Sequence, residues 1–307
     1  MAAERVGVLG LGRMGLPIAT ALRAAGFEVV AFDPSPERSK LATDAGLAVA
    51  ASSDDLAATV DVLITVLPGP IELEYALVAQ GVIDRLGGGA LWLDLTSGAP
   101  DVAERLAAFA SDRGVATVGA PMAGGPAAAA TRSLRFFVGG APAAIERAEP
   151  LLIALGGSGA IERIGDRVGS GHIAKLLANL LWFGQAVAVT EALLLGVSLG
   201  VRVDVLRRSL ASSAGGSVFI DEYLDRLLAG NYLETFGIDR CVEELETLVR
   251  LAELQAVPFE LSSNVARLYR EALERFGAID GELLAARLLE ERAGIRLSDQ
   301  LSGEASR

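Results

Sequence analysis

VGVLGLGRMGLPIATALRAAGFEVVAFD, residues 6–33, decides the reading of the whole chain. RVGVLG at 5–10 has the length and composition of a short strand and ends on glycine. LPIATALRAAG at 16–26 reads as a helix with a glycine stop, and EVVAFD at 28–33 is a second strand that ends on an acid. Gly10, Gly12 and Gly15 stand between the first strand and the helix as the GxGxxG of GLGRMG. There the first glycine permits a tight turn, the second lets backbone approach a pyrophosphate, and the third allows close helix packing, so that phosphate meets a helix N-terminus. A bare GxGxxG is weak evidence, but Asp33 lies 18 residues beyond Gly15 and 23 beyond Gly10. That brackets the spacing of about 20 expected for a ribose-binding acid.

The stretch therefore predicts a dinucleotide site formed by Gly10, Leu11, Gly12, Arg13, Met14 and Gly15, with Asp33 on the adenosine ribose. A carboxylate accepts ribose hydroxyls and repels a 2′-phosphate, so NAD is expected ahead of NADP. Arg38 keeps NADP open.

Outward from this block the strand and helix periods keep alternating. PERSKLATDAG at 36–46 is a helix, LAVA at 47–50 a short strand, and a capped helix begins at Ser52 or Ser53. DVLITVLP at 61–68, ALWLDLT at 90–96, VATVGAP at 115–121, LRFFVGG at 134–140 and GAIERIG at 159–165 follow as strands, with helices between most of them and a Gly- and Ala-rich loop after residue 121. This order implies an α/β fold with a mostly parallel, Rossmann-type sheet over residues 1–165. From Gly169 the periodicity turns helical: one helix of about thirty residues, long by globular standards, then five shorter ones. Residues 166–295 are expected as an all-α second domain, and RLSDQLSGEASR at 296–307, which lacks an apolar face, as a flexible tail.

Composition bounds the partners. The 307 residues carry a formal net charge of -12, and no basic run offsets it, so neither nucleic acid nor an anionic membrane is expected as a partner. The most apolar segment, 176–201, is interrupted by Asn179, Gln185, Thr190 and Glu191. It reads as a helix buried in protein or at a subunit interface rather than as a membrane span. Cys241 and His172 are the sole residues of their types, too few for a disulfide within the chain or a cysteine-based metal site, and no metal is expected. With no leader pattern at the start, a reducing, cytoplasmic setting is the simpler expectation.

Three loops follow strands at the edge where a cofactor and substrate belong. Leu67 and Pro68 open the first and either touch cofactor or form an ordinary turn. Thr96, Ser97 and Gly98 form the second, and Met122, Gly124 and Gly125 belong to the third. Their hydroxyls and backbone N–H groups suit a small polar substrate. The long helix adds His172, Lys175 and Asn179, at i, i+3 and i+7 and hence on one side. Lys40 and Lys175 are the only lysines. An ammonium among Leu176, Leu177, Leu180 and Leu181 must be paired or reach a polar cavity. In a catalytic cleft Lys175 donates to a carbonyl oxygen in one direction and takes the hydroxyl proton in the other, while Asn179 holds the oxygen or the lysine. His172 reads as support for the first turn, a bond behind the site, or an acid–base group.

These motifs together resemble the β-hydroxyacid dehydrogenase family, which includes 3-hydroxyisobutyrate dehydrogenase, tartronate semialdehyde reductase and, more distantly, 6-phosphogluconate dehydrogenase. The block at 6–33 looks like the family's cofactor segment, DLTSGAP at 94–100 and GAPMAGG at 119–125 like its substrate loops, and GSGHIAKLLAN at 169–179 like its catalytic block. The resemblance implies an NAD(P)-dependent oxidoreductase with Lys175 as catalytic lysine and Asn179 as its partner. It also implies that Thr96, Ser97, Gly124 and Gly125 hold the substrate's acidic group, and that the protein is a homodimer built on the long helix. Two departures stand out. Ala123 replaces a serine frequent in the family, and Glu243 and Glu244 stand where a Lys-Asp pair is common. Arg240, one turn earlier, either supplies a positive group for substrate or pairs with Glu243, and Phe236 either lines the pocket or fills core. Two alternatives follow: reduction of a C=N bond, as imine reductases perform, and a non-catalytic NAD(H)-binding protein.

Overall fold

The computed structural model describes residues 4–234 and 236–300. They fall into two compact units, and the division lies inside the long helix, between Lys175 and Leu176.

The first unit begins with β1 (Arg5–Leu9), α1 (Gly15–Ala24), β2 (Glu28–Phe32), α2 (Pro36–Asp44), β3 (Ala48–Val49), α3 (Ser53–Ala57) and β4 (Val62–Thr65). It continues through α4 (Pro70–Glu74), α5 (Val82–Arg85), β5 (Leu91–Asp94), α6 (Pro100–Ser111), β6 (Ala116–Gly119), β7 (Met122–Ala123), α7 (Gly125–Thr131), β8 (Arg135–Gly140), α8 (Pro142–Gly156) and β9 (Ile161–Gly165). Six strands run parallel in the order β3-β2-β1-β4-β5-β6, the order of a dinucleotide-binding sheet. β6 and β7 then pair antiparallel with β8, and β9 runs parallel to β8.

Period-two alternation explains why both faces are covered. Val6, Val8, Ile64 and Leu93 point to a core shared with Ile18 and Leu22 of α1 and Ile145 and Leu152 of α8. Leu9, Leu63 and Trp92 face the other way, against Leu56, Leu77, Ile83 and Leu106. Each such aliphatic side chain contributes about 1.5–3 kcal/mol by burial, so neither face tolerates a register slip.

The local reading needs two revisions. The loop expected after residue 121 contains β7 and α7: Met122 and Ala123 pair with Phe136 and Arg135, and the Ala-rich run that follows has high helix propensity. The helical connection expected between the strands at 61–68 and 90–96 starts at Pro70 and passes at Tyr75–Ala79 into a π-helical turn.

The second unit holds most of α9 (Val168–Ser198), then α10 (Val203–Ala211), α11 (Leu224–Leu228), α12 (Ile238–Leu254), α13 (Glu260–Phe276) and α14 (Leu284–Ala293). Leu180, Phe183 and Val187 of α9 enter a core with Phe219, Leu245, Tyr269 and Leu284. Trp182 packs edge-on against Phe219 and Tyr223. By length and composition α9 is apolar enough to cross a membrane; 44% of its most apolar window is buried in protein, while Leu177, Leu181 and Leu195 are exposed.

Residues 297–300 of the expected flexible tail are pinned. They form a 3-10 turn in which Leu297 is buried and its N–H donates to Glu290 Oε1 at 2.8 Å. A leucine in an otherwise polar segment was enough to dock it. Residues 301–307 lie outside the described residues.

Candidate active site

The glycine loop is shaped by backbone crowding. Gly10 has φ +98°, and a Cβ there would strike the Val66 carbonyl oxygen. A Cβ on Gly15 would strike the carbonyl oxygen of Gly10, whereas nothing lies within 4 Å of the position a Cβ would take on Gly12. Two glycines thus pack the turn, and the middle one leaves room where a pyrophosphate approaches. No acid lies in the first turn of α1, which keeps the helix N-terminus receptive to anions. Leu11 is buried, Met14 half-buried and Arg13 exposed at the rim. This cradle fits a dinucleotide.

Asp33, 4% exposed, organises the adjoining turn. Its Oδ2 accepts from the Leu11 N–H at 2.8 Å and its Oδ1 from the Ser35 N–H at 2.9 Å. The Arg38 guanidinium lies 3.4 Å from Oδ2. The carboxylate therefore ties the glycine loop to the end of β2, and Arg38 shares the acceptor capacity assigned to ribose.

The loops after β4 and β5 are joined at the carboxyl edge of the sheet. Thr96 is 2% exposed, and its hydroxyl accepts from the Leu67 N–H at 3.1 Å. That leaves the hydroxyl proton of Thr96 free to donate. Ser97 and Gly98 are half-buried, and Pro68 is exposed. Asp94, the last residue of β5, stands behind this loop. Its Oδ1 accepts from the Thr96 N–H at 3.0 Å and from Thr65 Oγ1 at 2.7 Å, and Thr65 Oγ1 in turn accepts from Trp92 Nε1 at 2.9 Å. Nearby, Met122 and Ala123 are half-buried in β7, and Gly124 (φ +118°) and Gly125 (φ +66°) turn the chain into α7. Gly124 is exposed.

The first turns of α9 carry His172 and Lys175. His172 is 1% exposed, as a group supporting the helix from within would be. Its Nδ1 lies 3.3 Å from the Val168 carbonyl oxygen and its Nε2 lies 3.4 Å from Asp94 Oδ2. Lys175, one turn on, is half-buried, whereas Lys40 is exposed and paired with Asp44.

Within the second unit, Asn179 Nδ2 donates to Glu244 Oε2 at 2.6 Å. Glu244 is 8% exposed, and because a carboxylate only accepts, the bond orients the Asn179 amide. Glu243, its neighbour on α12, accepts from Arg240 Nη1 at 2.9 Å, and Arg240 Nε lies 3.7 Å from Asp239. Arg240 is thus paired with Glu243, one of the two readings of its role. Phe236 is half-buried against the helical core, as a filling residue would be. Among the described residues no group of three His, Cys, Asp or Glu is placed to hold a metal ion.

Sequence reasoning passed over Asp94 and the Asn179–Glu244 bond. An acid closing the otherwise apolar run ALWLD was the available signal for Asp94, because a carboxylate at the end of a central strand must find donors. Glu244 gave none, since its partner lies 65 residues away.

Comparison with known proteins agrees with this architecture. Residues 5–165 match the family described as the NAD binding domain of 6-phosphogluconate dehydrogenase, and residues 169–289 match the one described as NAD-binding of NADP-dependent 3-hydroxyisobutyrate dehydrogenase. The chain is 30% identical to the L-threonate dehydrogenase of Cupriavidus necator over 270 residues, covering 88% of this chain and 90% of that one. It is 34% identical to the NAD-dependent L-serine dehydrogenase of Pseudomonas aeruginosa over 221 residues, covering 72% and 73%. A solved structure of the 3-hydroxyisobutyrate dehydrogenase of Mycobacterium tuberculosis with L-serine superposes with a TM-score of 0.84 at 25% identity, covering 93% of this chain and 99% of that one. Fold and matches define an NAD(P)-dependent oxidoreductase of small hydroxyacids or their carbonyl counterparts. Within that class the chain belongs to the β-hydroxyacid dehydrogenase family, of the 3-hydroxyisobutyrate dehydrogenase type.

Proposed function

We propose that this protein oxidises a small hydroxyacid reversibly, with Lys175 as the general acid and base. The observation that carries the reading is the half-buried Lys175 on α9, in a chain whose other lysine is an exposed surface residue. The nicotinamide dinucleotide, when bound, supplies the hydride acceptor or donor. Gly10, Leu11, Gly12, Arg13, Met14 and Gly15 cradle its pyrophosphate, Leu67 and Pro68 border it, and Asp33 favours NAD over NADP. The Thr96 hydroxyl proton, Ser97, and the backbone of Gly98, Met122, Gly124 and Gly125 orient the substrate's acidic group. Lys175 takes the hydroxyl proton as the carbinol carbon loses hydride and returns it in the reverse direction. Asn179, oriented by Glu244, stands one turn beyond as its partner.

The pairing of Glu243 with Arg240 removes the main reason to prefer a cationic C=N substrate. The exposed leucines of α9 suit a homodimer, and a single buried Cys241 suits a reducing, cytoplasmic setting. The test is Lys175→Ala, assayed with NAD and with L-threonate, L-serine and 3-hydroxyisobutyrate as substrates. We expect kcat to fall about 10²–10⁴-fold while the dissociation constant for NADH moves by no more than about threefold. Equal turnover at saturation would overturn the assignment.

A further inference from the structure

The start of α9 is seated on the sheet with very little clearance. A Cβ on Gly171 would strike the Phe137 carbonyl oxygen of β8, and one on Gly119, the last residue of β6, would meet both the Val168 carbonyl oxygen and the His172 ring. From a second side, Glu104 of α6 accepts from the Gly169 N–H at 2.9 Å and lies 3.2 Å from Arg167. His172 occupies the centre of this seat, and its ring is aimed at the end of β5.

The pair that meets there is unusual for its burial. Asp94 and His172 are 0% and 1% exposed, beside the buried Thr65 and Thr96. Asp94 divides its two oxygens. Oδ1 takes the Thr96 N–H and the Thr65 hydroxyl, while Oδ2 makes no aligned hydrogen bond and has His172 Nε2 at 3.4 Å. Each nitrogen of the ring faces an acceptor, the Val168 carbonyl at Nδ1 and Asp94 Oδ2 at Nε2, so a proton on Nε2 would be held between the ring and Asp94. One carboxylate thus holds the backbone of Thr96 with one oxygen and faces α9, one turn before Lys175, with the other.

We propose that His172 is a positioning residue for the reaction: through Asp94 it locks the helix that carries Lys175 to the strand end that carries Thr96 and Ser97. The inference rests on Lys175 handling the substrate's proton and extends that reading to what holds the lysine at a constant distance from the substrate loop. His172 exchanges no proton with substrate. Its contribution is geometric, and misplacement of a catalytic group by about 1 Å is enough to cost about 10²-fold in rate. The glycine loop is held through Asp33 rather than through this pair, so the grip on pyrophosphate and ribose is not the property it governs.

Three variants test this. His172→Leu keeps the volume and removes the donor; His172→Gln restores an N–H close to the place of Nε2; Lys175→Ala reports on the parent reading. In the hydroxyacid assay above, kcat of His172→Leu should fall about 10²-fold, the NADH dissociation constant should stay near that of the parent, and His172→Gln should recover most of the loss. Because His172 is the sole histidine, the imidazole ¹H–¹⁵N resonances of the full chain give a readout independent of turnover, and Asp94→Asn should shift them in the folded protein. Loss of turnover in Lys175→Ala with full turnover in His172→Leu would overturn the positioning role alone. Full turnover in Lys175→Ala would overturn it together with the reading on which it rests. Equal deficits in the Leu and Gln variants, or imidazole resonances that ignore Asp94→Asn, would also overturn it.

Discussion

Two aspartates mark the ends of strands in the same sheet, and their surroundings divide the labour of the first unit. Asp33 follows β2 and Asp94 closes β5; both are almost wholly buried, and both tie down the loop that leaves the sheet. Asp33 binds one backbone N–H of the glycine loop and one of the turn after β2, and shares its charge with an arginine half open to solvent. Asp94 binds Thr65 and Thr96 and faces a histidine sealed in the core. The same side chain serves a ligand-facing turn where water is near and an internal joint where it is not. Burial of the partner, more than burial of the acid, separates the two.

The sharpest way to break this comparison is to truncate both acids. Asp94→Ala strands the Thr96 N–H and the Thr65 hydroxyl in a dry core. We expect a stability loss on the order of 3 kcal/mol, since each stranded donor costs about 1–3 kcal/mol. Trp92, whose Nε1 donates to Thr65, reports the change in fluorescence-monitored urea unfolding. Asp33→Ala exposes its donors at the edge of a ligand site, where water replaces the lost acceptor. Stability should drop by only about 1 kcal/mol. The main loss should be in NAD affinity, roughly 10- to 100-fold by NADH fluorescence titration, as expected for hydrogen bonds to a charged group. A larger unfolding effect from Asp33→Ala than from Asp94→Ala would reverse the assignment of roles.

What was legible in the sequence follows the same division. Asp33 announced itself because a fingerprint of glycines sits at a fixed distance upstream, and Lys175 because lysine is so rare in this chain. The succession of strands and helices, the long helix and the helical second unit were all carried by local periodicity. Asp94 and Glu244 were not, because their meaning depends on partners far away in sequence: Thr65 is 29 residues from Asp94, and Asn179 is 65 from Glu244. The strand at Met122–Ala123 stayed hidden for a related reason, as two residues carry no period and pair only through β8.

A third buried acid extends the comparison into the second unit, with a smaller effect. Glu290 accepts from the Tyr232 hydroxyl at 2.6 Å and from the Leu297 N–H, and so docks the chain beyond α14. Burial, followed by the hydrogen bond to Glu290, pushes the Tyr232 phenol up to about 12. A phenol that holds its proton more tightly when folded stabilises fully below its ordinary value of about 10. That contribution is then lost as pH rises through about 12. Thermal unfolding from pH 9 to 12 should therefore show a steeper alkaline decline for the parent than for Tyr232→Phe. Parallel curves would mean that this hydroxyl does not hold the segment.

The smallest effect belongs to Arg38, and it refines the role of Asp33. Its guanidinium is half exposed and 3.4 Å from the carboxylate, a geometry worth no more than about 1 kcal/mol in stability. Arg38→Ala should leave the unfolding curve nearly unchanged, yet it removes the cation that tempers Asp33. An uncompensated carboxylate repels a 2′-phosphate more strongly and leaves ribose hydroxyls unaffected. NADP affinity should thus fall by about tenfold while NAD affinity holds, a difference of about 1.4 kcal/mol in the discrimination between cofactors. If both affinities fall together, Arg38 orders the turn rather than tuning its charge, and the preference for NAD rests on Asp33 alone.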